Sequence, residues 1–121
     1  MALQKTFTLP NGAAGNYVKI IAAPADYLSK EISVWFGLYL SAAQAATNPK
    51  ATLSMADRPF AKLRLSGAKF DQWLSTTALA ANPADDPFRA QIYAAAKVEP
   101  AICDFQPEAG QLTVFSDAID V

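Results

Sequence analysis

The chain has 121 residues, with 10 Lys and Arg against 11 Asp and Glu and no histidine. That length holds one domain, residues 1–121, and 52% apolar content excludes a disordered chain, while 17% charged residues falls below the roughly 25% usual in a free soluble domain. Without histidine the chain lacks the commonest general base, the commonest metal ligand and the usual partner of a nucleophilic Ser or Cys, so most familiar hydrolase designs are excluded.

The first predicted element is a half-buried strand in which Leu3, Phe7 and Leu9 face one way and Gln4, Thr6 and Thr8 the other. The same stretch has no apolar run of the kind that opens a secretory signal. Pro10-Asn11-Gly12 carries strong turn chemistry, and Tyr17 to Ile21 resumes a strand pattern, so a hairpin with a longer loop is expected. Pro24-Ala25-Asp26 breaks the second strand.

Ile32 to Leu40 is the clearest strand in the chain. Ile32, Val34, Phe36, Leu38 and Leu40 share one face, and Ser33, Trp35, Gly37, Tyr39 and Ser41 share the other. An aliphatic face opposite an aromatic and small-residue face describes a central strand covered on both sides. Trp35 and Tyr39 then meet either a partner chain or other parts of the same monomer. Ala42 to Ala56 has no strong period and reads as loop, with room for a helical turn at Ala42 to Ala46, and Asn48-Pro49-Lys50 marks a turn.

Phe60 to Leu65 is a further strand, with Ala61, Leu63 and Leu65 on one side and Phe60, Lys62 and Arg64 on the other. Cations at such positions protect a sheet edge. An aromatic interleaved with cations is also the bare ingredient of a base-stacking platform, but a solvated edge strand shows the same pattern and a pI near 5.2 argues against phosphate neutralisation. No nucleic acid partner is expected.

From Ser66, an N-cap candidate, the period becomes helical, with Phe70, Trp73 and Leu74 at i, i+3 and i+4. Asn82-Pro83-Ala84-Asp85 interrupts it. Asp86-Pro87 reads as N-cap and first helical residue of a second helix whose stripe is Phe88, Ile92 and Ala96 with Tyr93 beside it, with Lys97 near its end and Pro100 stopping it. Ala101 to Phe105 and Gln111 to Phe115 flank Pro107-Glu108-Ala109-Gly110 as a hairpin, and a short acidic tail follows. The fold expected from this order is α+β, a largely antiparallel sheet of about five or six strands with two short helices packed on one face. Its core is expected to hold Phe7, Leu9, Ile20, Val34, Phe36, Leu38, Leu63, Leu65, Phe70, Leu74, Ile92 and Val114.

No constellation names a reaction. Cys103 is the single cysteine, lies in an apolar strand pattern and has no neighbouring cation to lower its pKa, so it reads as a structural thiol. Asp85 and Asp86 are adjacent and read as capping residues, and Asp117 and Asp120 lack the spacing and the glycine of a calcium loop. Phosphate-cradling and nucleophile-elbow motifs are absent. The chain is therefore expected to be no enzyme, to need no cofactor or metal, and to cross no membrane, its longest apolar run being far shorter than a span. Its charge is uneven: residues 1–69 carry eight cations against three acids, and residues 70–121 two cations against eight acids. Folding that intermixes the two parts, or a bipolar surface that pairs with its own copies, follows from that.

The opening Lys5 to Gly12, the run Asn16 to Ile20 and the long strand to Ser41, followed by Leu65-Ser66-Gly67 before Phe70-Asp71, the aromatic helix Phe88 to Lys97 and the closing Phe115 to Val121, resemble small proteins from the tail modules of tailed bacteriophages and prophages. The resemblance extends in layout over nearly the whole chain and its motifs are structural. It implies a non-enzymatic virion component of the tail tip, baseplate or tail fibres, made in the bacterial host cytoplasm, whose partners are other virion proteins and copies of itself. A capsid decoration protein and a monomeric host-directed accessory or inhibitor protein are the alternatives. The expected interface residues are Trp35, Tyr39, Phe60, Lys62 and Arg64.

Overall fold

The computed structural model describes residues 2–8, 12, 14–48, 52–53, 60–99, 102–103 and 115–121. Its strands are β1 (Leu3–Thr8), β2 (Ala14–Ala22), β3 (Ala25–Asp26), β4 (Glu31–Tyr39), β5 (Ala61–Ser66), β6 (Ile102–Cys103) and β7 (Ile119–Asp120). Its helices are α1 (Ala42–Thr47), α2 (Ala68–Leu74), α3 (Thr76–Ala81) and α4 (Pro87–Val98). The architecture is α+β. All described pairings are antiparallel, in the order β6-β5-β4-β2-β1-β7, and β3 continues the path of β2 along β4.

β4 lies at the centre because its alternation supplies an uninterrupted aliphatic face. Ile32, Val34, Phe36 and Leu38 are all buried, and they sit opposite Leu65, Leu63 and Ala61 of β5 on one side and Ile20 and Val18 of β2 on the other. Val18 in turn lies opposite Leu3 of β1. This apolar face is covered by α2 and α4 through Phe70, Leu74, Ile92, Tyr93, Ala95 and Ala96. A set of aromatic rings fills the middle of the core: Phe36 lies 5.3 Å from Phe115 and 6.2 Å from Tyr93, and Phe7 lies 4.8 Å from Phe60, centroid to centroid. Edge-to-face and tilted contacts of this kind add to the area the rings bury.

Local signals set the helix boundaries. Asp86 accepts the Arg89 N–H at 3.1 Å and Pro87 opens α4, while Lys97 lies in its last turn. Ser75 ends α2 and caps α3 with its hydroxyl, which accepts the Ala78 N–H at 3.2 Å. Near the end of β2, the Tyr93 hydroxyl on α4 accepts the N–H of Ile20 at 2.8 Å. Burial pushes the Tyr93 pKa up to about 12, partly offset by that hydrogen bond.

Several expectations are corrected. Four described helices stand where two were expected: α3 is an additional helix capped by Ser75, and the helical turn allowed at Ala42 to Ala46 is α1, capped by Ser41. Ser66 is the last residue of β5, and Gly67, at φ +57°, is the residue that turns the chain into α2. Phe60 does not share the Lys62 face: it precedes the first strand residue, and its ring packs beside Phe7 and Phe115. β5 is not an outermost strand, since β6 pairs with Ala61 and Lys62. Residues 119–120 of the acidic tail pair with β1 as a strand. Ile20 is half-buried, while Leu9, Val114 and most of the 101–115 hairpin lie outside the described residues.

Candidate functional site

The face of the sheet opposite α2 and α4 carries the side chains that the core does not absorb. β4 contributes Ser33 and Trp35, β5 contributes Lys62 and Arg64, and β2 contributes Lys19 and Ile21. Register brings them together: Trp35 lies opposite Lys62, Ser33 opposite Arg64, and Lys19 opposite Gly37. The Lys62 ammonium sits 5.5 Å from the centre of the Trp35 ring, within reach of a cation–π attraction. Arg64 donates to Glu31 at 2.9 Å, and both side chains remain largely exposed. Trp35 is half-buried and Lys62 and Arg64 are exposed. The patch thus presents one indole and the cations Lys19, Lys62 and Arg64, with Glu31 and its register partner Asp26 as carboxylates at its end.

Of the five expected interface residues, the structure brings together three, Trp35, Lys62 and Arg64. Tyr39 is 2% exposed and belongs to the interior, which corrects its assignment. Its ring lies back along the strand over Gly37, where an added Cβ would stand 3.6 Å from Tyr39 Cε2 and 2.9 Å from the side chains of Ile21 and Thr52. Burial raises the Tyr39 pKa, with the neighbouring Tyr17 adding to the effect. Phe60 is also 2% exposed and its ring is unavailable for stacking on a partner. Lys19 and Ile21 are the members of the patch that parity within one strand missed, because only the packing of β2 against β4 places them on that face, whereas Glu31 shares the parity of Trp35 and lies one residue before the expected start of the strand.

The arrangement offers apolar area, a π face and charge-assisted donors, which is binding chemistry. Elsewhere, Glu99 is the one buried charged residue among the described residues. Its carboxylate accepts from Lys69 at 2.9 Å and from the Trp73 indole at 3.4 Å, tying the end of α4 to α2. Among the described residues no three of His, Cys, Asp and Glu converge as metal ligands, and no helix is long and apolar enough to cross a membrane. Comparison of the chain with protein-family models, with curated proteins and with solved structures finds no match.

Proposed function

We propose that the protein is a non-enzymatic structural component of a bacteriophage virion, of the tail tip, baseplate or tail-fibre region, acting through protein–protein contacts. The observation that carries the contact role is the sheet face turned away from α2 and α4, where Trp35 is flanked by Lys62 and Arg64. An indole with cations at its rim is the composition of an interface centre, the ring supplying buried area and the charges setting orientation. The assignment to a tail module rests on the resemblance of the sequence layout. Virion proteins and copies of the chain are its partners in this reading.

The test is quantitative mass spectrometry of purified particles, with the Trp35→Ala variant alongside. The expected result is presence in fixed copy number, with Trp35→Ala protein folded in solution but incorporated at least about tenfold less well, as for an interface hot spot. Absence from particles overturns the virion assignment. Normal incorporation of Trp35→Ala overturns the role of the sheet face.

A further inference from the structure

The turn between β3 and β4 holds the most exposed large apolar side chain of the described residues. Leu28 is 98% exposed and Tyr27 beside it 67%. This is a fixed projection, held from several sides. The Asp26 carboxylate accepts the N–H groups of Leu28 at 3.0 Å and Ser29 at 3.2 Å. Lys30 takes a left-handed φ of +55°, its carbonyl accepts the Gly67 N–H at 3.0 Å, and its ammonium meets Asp71 at 3.1 Å. The Tyr27 ring stands edge-on to Phe70, 5.9 Å between centroids. A leucine presented on such a support loses little further freedom when it docks.

The same molecule carries a recess of matching chemistry. Residues 20–23 and Phe88, Arg89 and Ile92 of α4 line a hollow of about 250 Å³ that exposes both apolar and polar surface, Arg89 being its one charged residue. Asp85 and Asp86 precede Pro87 and Phe88, and Asp86 meets Arg89 at 3.6 Å. Lys30 follows Leu28 by two residues, so a leucine entering the hollow would bring the exposed Lys30–Asp71 pair beside Arg89, Asp86 and Asp85, where the ion pairs can exchange partners across the contact. From Ala23 to Leu28 the chain spans at most about 17 Å, so the recess beside the middle of β4 lies within that reach of the projection. An isologous pair needs this proximity, because each copy must offer both halves of the contact in one patch.

We infer that two copies of this chain pair reciprocally, each seating Leu28 in the other's hollow between residues 20–23 and α4. The inference rests on the reading of the protein as an assembly component, and its hollow borders the Trp35 face through Ile21 and Ala22. One side chain and its rim make a small contact, so the association is weak and concentration-dependent.

Sedimentation of the full chain over a wide concentration range tests it, with Leu28→Asp and Leu28→Met compared and the fold of each checked by circular dichroism. The expected result is reversible dimerisation that Leu28→Asp weakens about tenfold or more and Leu28→Met largely preserves. Disulfide trapping gives an independent readout in a Cys103→Ser background: Leu28→Cys mixed with Ala22→Cys cross-links, and neither does so alone. A chain that stays monomeric overturns the inference, as does a dimer unaffected by Leu28→Asp or a Leu28→Cys protein that cross-links with itself. Flotation of a monomeric chain with anionic phospholipid vesicles, lost in Leu28→Asp, would assign the projection to lipid and also overturn it. None of these results depends on whether the protein is found in particles, so failure here and failure of the virion assignment are told apart.

Discussion

Phe36 shows how much one side chain decides. It is 0% exposed and touches Tyr93 and Phe115. Phe36→Ala should cost about 3–5 kcal/mol, a large part of the stability of such a domain, read as a lower denaturant midpoint at unchanged slope. A loss under about 1 kcal/mol would contradict the buried face assigned to β4. Tyr93 gives a pH signature. Its pKa is about 12 in the fold against 10.0 for an ordinary tyrosine, so the neutral form is favoured natively. The stability this contributes is complete below pH 10 and is lost as the pH rises through about 12, by roughly 2–3 kcal/mol in all. Tyr93→Phe should flatten that part of the alkaline curve, leaving the smaller contribution of Tyr39, and should cost about 1–3 kcal/mol at neutral pH because the Ile20 N–H loses its acceptor. Denaturant titrations of both proteins between neutral pH and about pH 12 check both effects.

At the scale of elements, caps carry more weight than propensity. α4 begins where it does because Asp86 accepts the Arg89 N–H and Pro87 cannot extend the helix backwards. Asp86→Ala should destabilise the protein by about 0.5–2 kcal/mol while Asp85→Ala, whose carboxylate caps nothing, stays near wild type. Thermal midpoints of the two variants decide this, and equal losses would move the cap. The β3–β4 turn follows the same logic. Hydrogen bonds from Ser29 and Leu28 hold the Asp26 carboxyl below its usual range, so the support they give the turn is present above pH 3.8 and fades as the pH falls through the lowered value.

Across the whole molecule the uneven charge of the chain is partly folded away. Lys5 meets Asp117 at 2.6 Å, Lys30 meets Asp71 at 3.1 Å, and Lys69 meets Glu99 at 2.9 Å, each pair joining the basic first part to the acidic second. Most of these side chains are substantially exposed and screened by solvent, so they arrange charge more than they stabilise. Thermal midpoints in low salt and in about 1 M sodium chloride should therefore differ by only a few degrees. A steep fall in high salt would show that the pairs hold the fold together.

Period-two alternation and cap chemistry are local properties, which is why β4, β5, α4 and the α+β class were legible in the sequence alone. Val34 and Phe36 were assignable to the core because neighbours two residues apart must share a face of a strand. Parity failed at Phe60 because that residue lies one position before β5 begins, and its side is chosen by Phe7 and Phe115, which are distant in sequence. It failed at Tyr39 for a related reason: the space over Gly37 and the approach of Thr52 bury a ring that alternation places beside Trp35. The membership of Lys19 and Ile21 in the face that carries Trp35, and the nearness of Leu28 to the hollow, depend on strand register and helix docking. Such contacts join residues far apart along the chain, and they exist only once the tertiary structure has formed.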